Sequence, residues 1–241
     1  MDFMILALDQ IVNQAAKWRF MMGGNASTNL TIRAIINRGG EQGAQHSQSL
    51  HSWLSHIPGL IVLMPSTVQD AYDLLISGIK SNNPVVYIDD RWLYDLEASL
   101  NERKSIKKLT SLKPKKLKIG KDLSIIGCGY GTKIAIEISE ALRKTGITSD
   151  VIDLRILNPL RLNLVSKSVK KTKKIVVIDP AWKSCSISSE IIASLNDKYN
   201  LNFKSLRLNL YNSPAPSSKN LEKDFYFNNK KILSKILKKL F

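Results

Sequence analysis

A glycine-rich stretch that ends in a histidine is the part of the sequence best suited to chemistry. It reads GGEQGAQHSQ over residues 39–48, with glycines at positions 39, 40 and 43 and a histidine at position 46. Glycine adopts backbone conformations that a side chain would forbid, so such a loop can approach a ligand closely. Imidazole titrates near neutral pH and can donate or accept a proton. His46 is therefore either a catalytic residue carried by this loop or a structural residue in a turn before a helix.

Two other patterns that could support chemistry are weaker. His46, His51 and His56 recur every five residues, so on one helix successive members would diverge by roughly 140°. One helix could not present them to a shared metal ion, and no zinc motif accompanies them. The GCGYG run at residues 127–131 follows an apolar segment, but its spacing differs from the GxGxxG of nicotinamide-binding proteins. A tight turn is the preferred interpretation there, and dinucleotide binding is the alternative.

The elements that position these residues follow from the spacing of apolar side chains. Apolar residues at helical intervals predict a helix over residues 3–20, and β-branched apolar runs predict short buried strands. Ser66 and Gln69 have the spacing of a capping box at the start of another helix. The predicted strands are 30–36, 60–64, 84–89, 123–127, 149–155, 174–179 and 203–208. The remaining predicted helices are 50–57, 68–79, 132–144, 162–169, 187–195 and 229–240.

The order of these elements predicts the fold class. Strands and helices alternate with short connections, which is typical of α/β layers with mostly parallel sheets. Residues 96–121 carry many charges with scattered leucines and are predicted to be an inter-domain linker. The prediction is therefore two parallel-sheet α/β domains, the first over residues 1–95 and the second over residues 122–241.

The composition narrows the classes of protein to consider. The 241 residues are 44% hydrophobic and 23% charged, which are ordinary globular values. No apolar run is long enough for a transmembrane helix, and Asp2 and Asp9 interrupt the apolar start where a secretory signal would lie. Cys128 and Cys185 are too few for a disulfide framework. These features predict a protein of the reducing cytoplasm without a membrane partner.

The net charge of +16 raises the hypothesis of nucleic-acid binding. Nine of the 36 basic residues are arginines, so lysine supplies most of the charge. Lysine is a solvated point charge, whereas base and phosphate recognition favours the flat guanidinium fork. The two dense segments, 103–121 and 219–239, do not interleave charge and aromatics as a single-strand platform does. Nucleic-acid binding is kept as the weakest alternative.

Five long motifs occur in a fixed order along the chain. They are ALDQIVNQAAKWRFMMGG, QHSQSLHSWLSHIPGLIVLMPSTVQDAYDLL, NNPVVYID, VIDLRILNPLR and VKKTKKIVVID. This order resembles the β subunit of the thiamine-dependent 2-oxo acid dehydrogenases, of which pyruvate dehydrogenase is the type member. The resemblance implies a partial transketolase-like pyrimidine-binding domain joined to a transketolase C-terminal-like domain. The implied function is oxidative decarboxylation of pyruvate or a similar 2-oxo acid, with acyl transfer to lipoamide.

The resemblance also assigns roles to individual residues. His46 corresponds to the histidine beside the reactive carbon of thiamine diphosphate, where it orients substrate and exchanges protons. Phe3 corresponds to the aromatic residue that packs on the pyrimidine ring of this cofactor. The turn of residues 78–83, which includes Ile79 and Asn83, corresponds to a loop that binds potassium through its backbone in many members of the family, which implies these two residues as potassium ligands. The aspartate often found in that loop is Ser81 here.

The implied partners follow from the same resemblance. An α subunit would hold the diphosphate and Mg²⁺ in a heterotetramer, a second copy would join through a β–β interface, and a lipoyl acyltransferase core would receive the product. The sequence has no GDG-type magnesium motif, which agrees with a β subunit. The glutamate that activates the cofactor in the family has no counterpart, so we expect an N-terminally truncated β subunit whose activity alone is in question. A non-catalytic remnant or assembly module is the alternative, and the 2-oxo acid stays open.

Overall fold

Two β-sheets organise the chain. The computed structural model describes residues 1–101 and 108–241. Each sheet is mostly parallel and carries one antiparallel strand at an edge. The prediction of two α/β domains is therefore confirmed, with mixed rather than purely parallel sheets.

The first sheet combines strands from both halves of the sequence. Its parallel strands are β1 (Thr31–Ile36), β2 (Ile61–Leu63) and β3 (Val85–Asp90), and β3 is buried along its whole length. A short strand from the second half, β7 (Ile156–Asn158), pairs antiparallel with β2. The strand order is β1-β3-β2-β7, so the second half of the chain completes the first sheet.

The helices of the first half lie where the apolar spacing predicts them. The segment predicted as one helix over residues 3–20 is helical, but its geometry changes along its length. It comprises a 3-10 helix (Asp2–Ala7), a π-helix (Gln10–Ala15) and the α-helix α1 (Ala16–Met21). Helix α2 (His51–His56) follows the glycine loop, and α3 (Val68–Ile79) matches its predicted bounds.

The predicted capping box of α3 is wrong. The cap is Thr67, whose hydroxyl oxygen accepts a hydrogen bond from the backbone N–H of Asp70 at 3.2 Å. The hydroxyl of Ser66 instead donates to the buried carboxylate of Asp153 in the second half of the chain. A long-range carboxylate has taken the hydroxyl that the local pattern assigned to the helix.

The strands of the second sheet are β4 (Lys115–Lys118), β5 (Leu123–Gly127), β6 (Ser149–Asp153), β8 (Lys174–Trp182) and β9 (Lys204–Leu210). Their order in the sheet is β4-β6-β5-β8-β9. Helices of this half are α4 (Tyr130–Arg143), α5 (Asn163–Thr172), α6 (Ile187–Asp197), α7 (Lys219–Phe225) and α8 (Asn229–Leu240). Strand β4 lies inside the segment predicted as a linker, and residues 102–107 of that segment lie outside the described residues.

One apolar core runs through both sheets. Val62 and Ile88 of the first sheet belong to the same cluster of buried side chains as Ile126 and Val177 of the second. Burial of apolar area at about 25 cal/mol per Å² is the main favourable term in folding, so this shared core couples the two domains. In the described part of the chain, no helix is both long and apolar enough to cross a membrane.

A buried carboxylate anchors the antiparallel edge of the second sheet. The side chain of Asp150 in β6 lies 2.8 Å from the ammonium nitrogens of both Lys116 and Lys171. It also accepts a hydrogen bond from the hydroxyl of Ser168 at 2.6 Å. Burial opposes ionisation of Asp150, but the bonds from these cations and from the hydroxyl outweigh it and lower the pKa to about 2.

The lowered pKa of Asp150 predicts sensitivity to acid. The folded-state pKa lies below the unfolded value of about 3.9, so the ionised group stabilises the fold above about pH 4. This contribution is lost as the pH falls from about 4 to about 2. We expect Asp150→Asn to have a lower urea midpoint than the unmodified protein at pH 6, and the difference should shrink on acidification over this window.

Asp224 is the matched control for this experiment. Its carboxylate pairs with Lys231 at 2.8 Å, but both side chains are largely exposed. Exposed ion pairs contribute little to stability because water and salt screen them, so Asp224→Asn should barely change the midpoint at either pH. Equal midpoint changes in the two variants would contradict a special role for the buried carboxylate.

Candidate functional site

The glycine-rich loop of residues 39–48, which carries His46 and is called the histidine loop below, lies where the first domain contacts the C-terminal part of the second domain. Gly39 donates its backbone N–H to the hydroxyl of Tyr226 at 3.2 Å. Glu41 donates its backbone N–H to the carboxylate of Glu222 at 3.0 Å. These partners lie 187 and 181 residues away in sequence, so the fold rather than local sequence holds the start of the loop.

A buried arginine precedes the loop and bridges the two domains. The guanidinium of Arg38 lies 2.7 Å from the carboxylate of Asp90 at the end of β3. It also donates to the backbone carbonyl oxygen of Pro180 in β8 at 3.2 Å. Burial raises the pKa of Asp90, and the neighbouring guanidinium opposes that rise. Arg38 thus fixes the point from which the loop departs.

The N-terminal segment holds the other end of the loop. Gln48 donates its backbone N–H to the carboxylate of Asp2 at 2.8 Å. This bond places the next residue, Phe3, beside His46: the ring centroids are 5.3 Å apart and the ring planes are inclined by 56°. Both side chains are exposed, Phe3 by 58%. The structure therefore brings together the two residues predicted to bind and act on the cofactor.

An aromatic cluster supports the glycines of the loop. Trp92 packs edge-on against Tyr130, with ring centroids 4.9 Å apart, and against Tyr226, with centroids 5.0 Å apart. Gly39 has a φ of +67°, and a Cβ atom built on it would lie 2.7 Å from the Trp92 ring. Only glycine fits this position without displacing the tryptophan.

A set of buried polar side chains lies between the two domains near this loop. His51, at the start of α2, has its Nε2 atom 2.9 Å from a carboxylate oxygen of Asp179 in β8, and both side chains are fully buried. Asp153 is also fully buried; burial raises its pKa to about 7, although the Ser66 hydroxyl bound to it acts in the opposite direction. Burial likewise raises the pKa of the Cys128 thiol.

The predicted potassium loop offers a poor environment for a cation. Ile79, the last residue of α3, has an exposed side chain. Asn83 lines a cavity of about 440 Å³ whose lining also includes Arg19, Lys80 and Lys108. Three cationic side chains raise the local potential and disfavour potassium. The roles of Ile79 and Asn83 remain a prediction, and these surroundings do not fit it.

The exposed rings of Phe3 and His46 form a surface that suits an aromatic cofactor. A planar heterocycle can lie against the open face of Phe3, and aromatic rings favour such offset or edge-on contacts. The neighbouring His46 supplies an imidazole at the edge of the same surface. Among the described residues, the loop and the N-terminal segment thus place an exposed apolar ring beside an exposed imidazole.

Two domain families match the chain. The transketolase pyrimidine binding domain matches residues 1–95, and the transketolase C-terminal domain matches residues 113–232. A solved structure titled split gene transketolase, inactive beta4 tetramer superposes with a TM-score of 0.76 at 18% identity, over 99% of this chain and 73% of that one. At this identity the likeness shows the fold alone.

Curated relatives narrow the family. The acetoin:2,6-dichlorophenolindophenol oxidoreductase subunit beta of Bacillus subtilis is 34% identical over 99% of this chain and 70% of its own length. The same-named subunit of Cupriavidus necator is 41% identical over 80% of this chain, and the mitochondrial pyruvate dehydrogenase E1 component subunit beta of Saccharomyces cerevisiae is 32% identical over 99%. The chain belongs to the transketolase-like family, in the group of dehydrogenase β subunits that these relatives represent.

The match does not extend over the whole of these relatives. It spans 57% of the Cupriavidus necator subunit and 66% of the Saccharomyces cerevisiae subunit. The activity, substrate and partners of the complete proteins therefore come to this chain as proposals.

Sequence reasoning identified some of the site residues and missed others. His46 and Phe3 were named by motif, and they lie side by side. Asp2 and Tyr226, which hold the two ends of the loop, were missed because their partners are 46 and 187 residues away. Arg38 was also missed, although its position gave a usable signal: a charged residue directly before a run of glycines is well placed to anchor the loop that follows.

The packing of Trp92 predicts a site-specific effect of Gly39→Ala. The new methyl group would overlap the tryptophan ring, which its aromatic neighbours hold in place, so the loop should shift. We expect faster amide hydrogen exchange over residues 37–50 and a loss of stability above the ~1 kcal/mol that a positive φ alone costs an alanine.

Gly40→Ala is the matched control. Gly40 has nearly the same φ of +66°, but a Cβ atom there would meet nothing within 4 Å. This variant should show the backbone cost without the accelerated exchange. Equal exchange rates in the two variants would mean that Trp92 does not position the loop.

Proposed function

We propose that this chain acts as the β subunit of a thiamine-diphosphate-dependent dehydrogenase of 2-oxo acids such as pyruvate, and passes the acyl group to lipoamide. The observation that carries the proposal is the exposed pair of Phe3 and His46, held in place by bonds from both ends of the chain. An α subunit would complete the site by binding the diphosphate and Mg²⁺. Membership of the dehydrogenase β-subunit group supports the same assignment.

The chemistry divides between the cofactor and this chain. Thiamine diphosphate, when bound, supplies the electron sink that decarboxylation of a 2-oxo acid requires. His46 holds a proton on a ring nitrogen of its exposed imidazole. When the acyl group passes to the dithiolane of lipoamide, His46 delivers that proton to the departing sulfur. Histidine is the side chain that most often serves as a general acid or base in catalysis.

Phe3 and the N-terminal segment act on binding rather than on proton transfer. The Phe3 ring offers an apolar face to the pyrimidine ring, and Asp2 holds that face in register with the histidine loop. A preorganised surface of this kind lowers the entropy lost when the cofactor binds. The hydrogen bonds that hold the loop likewise keep His46 in position for proton transfer, so less entropy is lost when the reacting groups come together.

Exposed apolar side chains support the proposed assembly. Leu6 is 86% exposed and Phe20 is 90% exposed in the N-terminal helical segment, and Trp53 of α2 is also exposed. Large apolar side chains in contact with water commonly mark protein–protein interfaces. We assign this surface to the α subunit and to a second β chain, with the lipoyl acyltransferase core as a further partner.

The proposal predicts that His46→Ala separates two steps of the reaction. Loss of a general acid typically costs about 100- to 10,000-fold, so acylation of lipoyl domains by the assembled enzyme should fall by that factor. Decarboxylation measured with an artificial electron acceptor should fall less, because it needs no proton delivered to sulfur. Both rates are measured on the same preparation of enzyme with its α subunit.

His56→Ala is the control, since His56 is an exposed histidine at the other end of α2. It should leave both rates unchanged. Equal losses in both steps for His46→Ala would make His46 a substrate-orienting residue. Unchanged rates would return it to a structural role and favour the interpretation as an assembly module.

A second prediction concerns Phe3. Aromatic contacts contribute about 0.5–1.5 kcal/mol, so Phe3→Ala should weaken thiamine diphosphate binding to the assembled enzyme by about 2- to 13-fold. Phe3→Tyr keeps the ring and should retain most of the affinity. Calorimetric titration of the cofactor measures the difference, and equal affinities in the alanine and tyrosine variants would contradict the assigned contact.

A further inference from the structure

The basic residues of this chain are concentrated in its second half. Residues 1–95 contain six lysines and arginines against eight aspartates and glutamates, whereas residues 108–241 contain 27 against 10, a net charge of +17. Three of those ten acidic side chains, Asp150, Asp153 and Asp179, are fully buried. A general enrichment in lysine would affect both halves, so the positive charge of the second half needs a local explanation.

One edge of the second sheet collects much of this charge. The registers of the parallel strands β5, β6, β8 and β9 place their first residues in one row. Neighbouring strands lie about 4.8 Å apart, so this row is about 14 Å long. Lys174 and Lys204 are the first residues of β8 and β9, and Lys173 and Lys121 lie just before β8 and β5. Four lysines therefore belong to this row.

Three helices of the second domain end at the same row and add further cations. Helix α4 ends with Arg143, which Lys144 follows, and α5 carries Lys170 and Lys171 in its last turn. Lys198 directly follows α6. Each of these helices ends shortly before the next strand of the row begins. Their C-termini therefore bring five more basic side chains to the row.

Helix α8 completes this surface. The ammonium nitrogen of Lys174 lies 3.5 Å from the centroid of the Phe241 ring, and Phe241 directly follows α8, so this helix also ends at the row. Its last turn carries Lys238 and Lys239. We call the eleven basic side chains of these strand starts and helix ends the basic edge. All of them except Lys174 are exposed.

Few acidic groups balance the basic edge. Asp122 and Asp197 are the acidic side chains within the same strand starts and helix ends. Glu140 of α4 already pairs with a lysine of β4, and in the described part of the chain Lys171 alone of the basic edge pairs with a carboxylate, that of the buried Asp150. Each helix C-terminus adds about half a negative charge, so four helices offset about two of the cations. The remaining like charges repel one another, and an anionic partner would relieve that repulsion.

The basic edge lies at the end of the second sheet that faces away from the first domain. At the other end of the same strands, Asp153 of β6 accepts a hydrogen bond from Ser66, and Asp179 of β8 lies 2.9 Å from Nε2 of His51. Ser66 and His51 both belong to the first domain. A partner bound at the basic edge therefore leaves the histidine loop open.

We propose that the basic edge binds an acidic protein, through a surface or segment rich in aspartate and glutamate; this inference does not rest on the proposed function. Charge complementarity supports it, because complementary potentials steer the encounter of two proteins and fix their register. Ten of the eleven side chains are lysines, and Arg143 is the exception. Recognition of bases and phosphates favours the arginine fork, so nucleic acid is the less suitable anion.

An anionic membrane is also less suitable. Basic helices that lie on lipid insert an apolar face below the headgroups. In α8 that face, formed by Ile232, Ile236 and Leu240, is packed in the core of the second domain. Ile119, which is 84% exposed and lies two residues before Lys121, supplies instead the apolar contact that protein interfaces combine with a charged rim.

Binding of labelled poly-L-glutamate to the full 241-residue chain, measured by fluorescence anisotropy at physiological ionic strength, tests the proposal. The edge variant replaces three exposed lysines of the basic edge: Lys144→Gln, Lys170→Gln and Lys204→Gln. The control variant removes the same charge from three exposed lysines after β8 and at the starts of α7 and α8: Lys183→Gln, Lys219→Gln and Lys230→Gln. Each exposed ion pair contributes little, but loss of three together should weaken binding by at least about threefold in the edge variant. The control variant should bind as the unmodified chain does.

A lysine footprint of the unmodified chain gives a readout that does not depend on the folding of a variant. Bound poly-L-glutamate should slow acetylation of the three edge lysines and leave the three control lysines unchanged. Equal loss of binding in both variants, or uniform protection of all six lysines, would overturn the proposal. Tighter binding to duplex DNA of equal charge, or to phosphatidylserine vesicles, would overturn it in favour of nucleic acid or lipid. Self-association that the edge variant abolishes would assign the edge to a second copy of this chain instead.

Discussion

The pairing of Arg38 with Asp90 is the interaction on which the rest of the structure depends. Both side chains are buried, and their ion pair of 2.7 Å lies between the two sheets. Removing one member of such a pair strands a charge and typically costs about 3–5 kcal/mol. Because Arg38 also binds the carbonyl oxygen of Pro180, the same guanidinium joins the domains and fixes the start of the glycine loop. The stability of the fold and the position of the loop that carries His46 therefore both depend on the guanidinium of Arg38.

The candidate site is assembled from three distant parts of the chain. The loop supplies His46, and the N-terminal segment supplies Phe3 and Asp2. Helix α7 supplies Glu222, and Tyr226 directly follows that helix. A glycine-rich loop is costly to order, since each residue loses about 1–2 kcal/mol of backbone entropy. Bonds at both ends offset that cost during folding, so the loop is ordered before any ligand arrives.

Features of this fold that depend on neighbouring residues could be predicted from the sequence, whereas those that depend on contacts between distant residues could not. The bounds of α3 and most strands were predictable because apolar spacing is a local property of the chain. Strand β7 was not, since its pairing partner β2 lies over 90 residues earlier. The predicted cap at Ser66 was wrong for the same reason, because the Ser66 hydroxyl donates its hydrogen bond to the distant Asp153 instead. Phe3 and His46 were predictable from motifs, but their contact and the pairing of His51 with Asp179 appear only in the folded chain.

Strand β7 makes the two halves of the molecule mutually dependent. It crosses from the second half of the chain to cover the outer edge of β2, and Asn158 within it donates to the carbonyl oxygens of Ile57 and Leu60. If the first half were released by proteolysis, β2 would present an unpaired edge to neighbouring molecules. Exposed edges recruit strands from other chains, so the released fragment would aggregate. Cutting the chain between its domains would thus yield no independent parts, which explains why a short strand of three residues matters to the whole.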